Sequence, residues 1–389
     1  MSTVAGMVNP HVPSIVIAAG GTGGHIYPGL ALADALHTER PDCRIQFAGT
    51  TRGMETRLIP RAGYPLHTVD MIPFAKTLGA RRFLLPAALA KASWQCARLL
   101  RRENAAVAVG MGGYVSAPLI AGARLAGVPA LIHESNAVPG RANRFSALLT
   151  GNIAVAMDSV SFGGRARLVG MPLPRALDGF DRSVLRPEGR ARFGVRGEEF
   201  LVLVNGGSQG AASLNDAAVD LARRWRDRSG VRIVIKAGAG GAEPLNRRIA
   251  EAGASGAATA VDYLDRMDLA YAAADLTVCR AGSATVAELA RVGLPAVMVP
   301  YPHAPHDHQA RNADVLTRRG AAVAMADADV TGAALAGTVG ALADDRARLA
   351  GMAAACAAAA VPDAAARLAD WVLDLAGERI TGREGVLTR

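Results

Sequence analysis

The sequence predicts an α/β protein built from two Rossmann-like domains that face each other across a cleft. Three observations lead there. The chain has 389 residues, enough for two separate cores. It is 51% hydrophobic but only 4% aromatic, with abundant Ala and Gly, a composition typical of α/β enzymes. Finally, an apolar run leading through a glycine-rich turn into helical spacing occurs twice, about half a chain apart.

The first of these runs is Ser14 to Ala19, short, apolar and β-branched, as a parallel strand covered on both faces should be. "AAGGTGGHIYP" follows at 18–28, and helical spacing of Leu32, Ala33 and Leu36 is expected from Pro28 onward, which suits a first helical turn. Four glycines around Thr22 give a turn that aims open backbone N–H groups and the positive end of a helix dipole at one spot. That arrangement suits an anion; the plainer reading is a tight turn with no ligand. A further turn, "GMGGYVSAP" at 110–118, follows the apolar run Ala105 to Val109.

"GMPLPRALDGFDRSVLRPEGR", rich in Pro, Gly and charge, marks the domain boundary. The expected division is 1–172 and 173–362, with a helix at about 363–378 packing back on the first domain and a mobile tail at 379–389. The second half opens with the strand Leu201 to Asn205 and "GGSQGAASLND", then helical spacing of Leu214, Ala218, Leu221 and Trp225. Strands at Val231 to Ile235, Thr277 to Cys279 and Ala296 to Val299 follow, and Ala-rich helices fill the stretch from about Gly332 to Leu375.

Several classes are disfavoured. No G-x-x-x-x-G-K-[ST] is present, and Gly21, Gly23 and Gly24 fit G-x-G-x-x-G poorly, with Glu39 a weak ribose acid. Cys43, Cys96, Cys279 and Cys356 are scattered without C-x-x-C spacing, which predicts reduced thiols in a cytoplasmic protein. A transmembrane span and a signal peptide are not expected. The net charge of +9 favours an anionic partner: nucleic acid, a membrane surface or a phosphorylated substrate. Nucleic acid is the weaker of these, because no helix-turn-helix or aromatic-basic RNA signature accompanies the charge.

Six motifs in order, "GGTGGHIYPGLA", "GMGGYVSAP", "HESNAVPGRANR", "GGSQGAASLN", "CRAGSATVAELA" and "HDHQARNA", resemble the MurG family of bacterial N-acetylglucosaminyltransferases over roughly residues 14–375. The resemblance implies a GT-B fold. It also implies inverting transfer of N-acetylglucosamine from UDP-N-acetylglucosamine to the 4-hydroxyl of lipid I, a polyprenyl-pyrophosphoryl muramoyl-pentapeptide. The first turn (Thr22, Gly23, Gly24) and the second (Gly112, Gly113, Tyr114) would face the acceptor's pyrophosphate. Ser208 would face the donor's diphosphate, Glu288 the ribose hydroxyls, and Leu264 the uracil edge through its backbone. Ser283, Ala284 and Thr285 would line the donor, with Asn136 and Gln309 at its sugar. No D-x-D is apparent, so helix dipoles would stabilise departing UDP; no cofactor is required, with Mg2+ at most an accessory.

His25 sits at the mouth of the first turn, where it could take the proton of the attacking hydroxyl or only bond phosphate; both readings stand. Three positions depart from the family pattern. Ser135 replaces a glutamine, His308 replaces the glutamine before Gln309, and "GMPLPR" carries Met171 and Pro174 where the family has Asn and Arg. Arg175, one residue late, is the candidate substitute. His303, His306 and His308 match no familiar zinc spacing, and a Pro- and His-rich loop explains them better.

Between Met71 and Arg102 there is no acidic residue, while Lys76, Arg81, Arg82, Lys91, Arg98, Arg101 and Arg102 lie among apolar side chains. This predicts peripheral docking on an anionic membrane, at the cytoplasmic face for an acceptor of this kind. The competing functions are a related transferase with another lipid or antibiotic acceptor, and a non-transferase nucleotide-binding protein, a dinucleotide-dependent hydride-transfer enzyme included.

Overall fold

The structure, a computed structural model, describes residues 12–71, 85–207 and 210–377. The expected tail, Ser208 and the part of the basic segment at 72–84 lie outside the described residues.

Apolar, β-branched runs with no polar alternation must be buried on both faces, and parallel sheets between helical layers meet that need. The first half forms β1 (Ser14–Ala18), β2 (Arg44–Gly49), β3 (Leu66–Thr68), β4 (Ala105–Gly110), β5 (Ala130–Glu134), β6 (Asn152–Val155) and β7 (Ala166–Leu168). They join in the order β3-β2-β1-β4-β5-β6-β7, every pair parallel. The second half forms β8 (Phe200–Asn205), β9 (Val231–Lys236), β10 (Ala258–Val261), β11 (Leu276–Cys279), β12 (Ala296–Met298) and β13 (Ala322–Ala324). Their order is β10-β9-β8-β11-β12-β13, again all parallel.

The period of two along β1 sorts its side chains between layers. Ile15 and Ile17 join Leu32, Leu36, Leu368 and Val372 on one face, while Val16 and Ala18 join Leu100, Leu119 and Ile120 on the other. Each of these Ile, Leu and Val side chains contributes roughly 1.5–3 kcal/mol when fully buried. The helix Ala364–Leu375, last in the described chain, therefore packs on the helix Gly23–Glu39 of the first sheet. The apolar core also continues between the halves, from Ile153 and Val155 through Met171 and Leu173 to Val286, Leu289 and Cys356.

In both sheets the strand order reverses direction beside the first strand formed: between β1 and β4, and between β8 and β11. Connections there leave to opposite faces, so a crevice opens at the carboxyl ends of those strands. All the glycine-rich turns lie at these ends.

The first helix differs from the expectation. It begins at Gly23, five residues before Pro28, because the Thr22 carbonyl already accepts from the N–H groups of His25 and Ile26. Pro28 sits inside the helix, where it removes only the bond to Gly24. His25 thus stands in the first helical turn.

From the basic segment, the helix Leu85–Arg102 buries Ala92, Cys96, Leu99 and Leu100 and leaves Trp94 55% exposed, with the Arg98 guanidinium 4.8 Å from its ring centroid. Lys91 pairs with Asp70 at 2.8 Å and Arg102 with Glu103 at 2.7 Å, which offsets part of the charge. No helix among the described residues is long and apolar enough to cross a membrane.

Candidate active site

The turn after β1 is extended at Thr22 (φ −135°, ψ 159°), and the N–H groups of Gly23 and Gly24 are open by their place in the first helical turn. The Thr22 hydroxyl makes no bond to the helix backbone; it lies 3.3 Å from His25 Nδ1. The turn after β4 closes over the same ring. Gly112 (φ +93°) and Gly113 (φ +76°) both need glycine: a Cβ at 112 would stand 2.8 Å from His25 Cδ2, and one at 113 would stand 2.7 Å from the Gly20 carbonyl oxygen. Burial holds the His25 imidazole below its usual pKa of 6.5, against the upward pull of Glu134 and the Gly20 carbonyl, and nearby His308 lowers it further. At neutral pH the ring is neutral and keeps a lone pair.

Behind His25, the buried Glu134 at the end of β5 accepts from Asn136 N and Nδ2, Gly140 N and Asn143 Nδ2, at 2.9 to 3.3 Å. Asn312, fully buried in the helix His308–Thr317, reaches across from the second half. It donates to Asn136 Oδ1 and the Ala281 carbonyl, both at 3.2 Å, and accepts from Ala137 N at 2.8 Å. With both the oxygen and the amide nitrogen of Asn312 paired, the Asn136 loop and the Ala281 loop are held in register.

On the facing side, the turn after β8 is crowded backbone. A Cβ at Gly206 would meet Ala211 N at 2.4 Å, and one at Gly210 (φ +75°) would meet the Ala237 oxygen at 2.1 Å. The helix Ala212–Arg224 starts here. After β11, the helix Ser283–Val292 offers the N–H groups of Ser283, Ala284 and Thr285, again unpaired by position. In its second turn, Glu288 Oε2 accepts from the buried Tyr271 hydroxyl at 2.7 Å, which leaves Oε1 open. Burial raises the Glu288 pKa, opposed by the Tyr271 bond and by Lys236. Lys236 Nζ lies 5.6 Å from the Tyr263 ring centroid, beside the buried Leu264.

Arg280 ties these loops together: it bonds Asp327 at 2.6 Å and the Ser213 hydroxyl at 3.0 Å, and Ser213 bonds Asp327 at 2.7 Å. Gln309 Oε1 accepts from Tyr301 N at 2.9 Å. Arg175 opens a four-residue helix next to Ser283–Val292, with its side chain exposed. His303 and His306 are exposed, His308 bonds the Pro305 carbonyl, and among the described residues no group of three metal-ligating side chains is gathered.

Thr22, Gly23, Gly24, His25, Gly112, Gly113 and Tyr114 thus gather around the ends of β1 and β4, while Ser283, Ala284, Thr285 and Glu288 share one helix of the second half, Gln309 lies in the first turn of the helix His308–Thr317, and Leu264 is buried in the core. Sequence reasoning passed over Glu134, Asn312, Lys236 and Tyr271. Glu134 and Asn312 lie inside two of the six motifs, which is the one signal the sequence held for them; Lys236 and Tyr271 lie outside all six.

Residues 15–155 match the glycosyltransferase family 28 N-terminal domain, and residues 201–368 match the glycosyltransferase family 28 C-terminal domain. A Nocardioides protein named "UDP-N-acetylglucosamine--N-acetylmuramyl-(pentapeptide) pyrophosphoryl-undecaprenol N-acetylglucosamine transferase" is 42% identical over 93% of this chain and 98% of its own. One of the same name from Corynebacterium jeikeium is 42% identical over 82% of this chain and 85% of its own. The crystal structure of Acinetobacter baumannii MurG superposes with a TM-score of 0.75 at 28% identity, covering 93% of this chain and 99% of that one. With a glycine-rich turn and helix start at the strand ends of each half, and with both family 28 domains matched in order, the chain is a GT-B glycosyltransferase and belongs to the UDP-N-acetylglucosamine--N-acetylmuramyl-(pentapeptide) pyrophosphoryl-undecaprenol N-acetylglucosamine transferase family, within glycosyltransferase family 28.

Proposed function

We propose that the protein transfers N-acetylglucosamine from UDP-N-acetylglucosamine to the 4-hydroxyl of the muramoyl-pentapeptide of lipid I, with inversion, giving lipid II for peptidoglycan synthesis. The observation that carries the reading is the neutral His25, walled by two glycine turns and within the electrostatic reach of His308 from the opposite half. As the acceptor oxygen bonds the anomeric carbon, the bond from that carbon to UDP breaks. His25 takes the hydroxyl proton, and a neutral imidazole suits that role better than pairing with a phosphate. The charge that develops on the diphosphate of UDP falls to the open N–H groups and dipoles of the helices that start at Ala212 and Ser283. Glu288 Oε1 is placed to accept from the ribose diol while Tyr271 steadies the other oxygen.

No resident metal is needed in this scheme, and Mg2+ would serve at most as an accessory. Docking is at the cytoplasmic face of the membrane, with Trp94 and Arg98 among the contacts. Incubating the protein with UDP-N-acetylglucosamine and a short-chain lipid I analogue should yield UDP and the disaccharide product, with EDTA leaving the rate within about twofold. UDP release only with a different acceptor would move the protein to another acceptor class. An EDTA-abolished rate would overturn the metal-free scheme.

A further inference from the structure

Glu55 belongs to no motif, yet its side chain is fully buried beneath the first glycine turn. Its Oε2 accepts from Gly21 N at 3.1 Å, and its Oε1 accepts from Thr50 N at 3.1 Å and from the Thr50 hydroxyl at 2.8 Å. The Thr50 proton is spent on the carboxylate, so the Tyr114 hydroxyl, 3.1 Å away, donates to Thr50. Three glycines make room: a Cβ at Gly53 would stand 1.8 Å from Oε2, one at Gly20 2.8 Å from Oε1, and one at Gly49 2.9 Å from Cγ. Among the described residues no cation pairs with this carboxylate, so hydrogen bonds alone offset its burial.

We propose that Glu55 is a positioning residue for the transfer reaction, one that fixes both walls of the His25 pocket through Gly21 on one side and Thr50–Tyr114 on the other. The Tyr114 ring lies over Gly21, where a Cβ would stand 3.3 Å from its Cε1, so the two walls also touch. Taking the Gly21 N–H onto a carboxylate turns that group away from the acceptor and leaves Gly23 and Gly24 as the donors for a diphosphate. The inference rests on the acceptor reading of the turn proposed above.

Glu55→Gln is the direct test. Its single amide oxygen can still serve Thr50, but its NH2 would then face the Gly21 N–H, so the link to the turn is lost while the bulk is kept. With the short-chain lipid I analogue, kcat/KM for the acceptor should fall about 10- to 100-fold, while the KM for UDP-N-acetylglucosamine and the Kd for UDP stay within about twofold. Tyr114→Phe should lower acceptor kcat/KM several-fold, and the double variant should lose less than the product of the two, since both act through one network. Unchanged acceptor kinetics in a folded Glu55→Gln, or equal losses for donor and acceptor, would overturn the proposal. If Glu55→Gln does not fold, Tyr114→Phe with wild-type acceptor kinetics overturns it. A wild-type protein inert toward the lipid I analogue would instead overturn the function itself.

Discussion

After β1, the N–H of Gly21 goes to a buried carboxylate, and the turn carries a histidine boxed in by a second glycine turn. After β8, the N–H of Gly207 goes to the neutral Asn205 Oδ1 at 3.0 Å, and the turn is shaped by backbone crowding at Gly206 and Gly210. The two have the same topology and sit at the same strand ends, yet only the first takes on the cost of a buried charge. A turn that only offers N–H groups to a diphosphate can be set by its own backbone. Under the proposed scheme the first turn must also keep an imidazole in reach of a reacting hydroxyl, and side chains then hold it from behind, because small displacements cost large factors in rate.

The largest expected effect is at His25, which has no counterpart in the second turn. His25→Gln keeps a hydrogen-bond donor but cannot take a proton, so kcat should fall by roughly 10²–10⁴-fold with little change in donor KM. Near-normal kcat would leave His25 an anion-binding residue and remove the main contrast between the turns.

Gly210→Ala probes the backbone-shaped turn. At φ +75° with the Ala237 oxygen 2.1 Å from the new Cβ, it should destabilise the fold by about 2–4 kcal/mol in urea melts. A loss below about 0.5 kcal/mol would show that this turn yields easily.

Glu288→Gln should raise the UDP-N-acetylglucosamine KM about 10-fold, since the ribose diol loses a charged acceptor, and acceptor KM should be unaffected. A shared loss would mean that the two halves of the cleft do not bind independently.

The smallest effect is on stability against pH. His25 and His133 are both held below 6.5 by burial, and both lie in the first half. Below about pH 6.5 the unfolded chain binds protons there that the folded chain refuses. Stability is therefore full above that pH and declines as pH falls toward the lowered folded-state values, by at most about 1.4 kcal/mol per pH unit for each ring. His133→Gln should flatten the slope in urea melts over roughly pH 5 to 8; an unchanged slope would assign acid sensitivity to other groups.

Much of this was legible in the chain itself. Short, β-branched apolar runs such as Leu201 to Val204, ended by glycines, read as strands buried on both faces with the glycines as turns. Two such units half a chain apart required two sheets, and two sheets formed. The start of the first helix was misplaced because Pro28 marks a first turn only when nothing upstream has nucleated one, and the Thr22 carbonyl had.

What only the tertiary structure decided is the partner of each solitary polar residue. Nothing in the sequence around Glu55 marks it; it is buried because Gly20 and Gly21, the latter 34 residues away, fold over it. Asn136 and Asn312 meet across 176 positions. Periodicity records which face of an element is apolar, a local property repeated along the chain. A hydrogen bond between remote side chains leaves no such repeat, and it is settled only when the sheets and the cleft between them have formed.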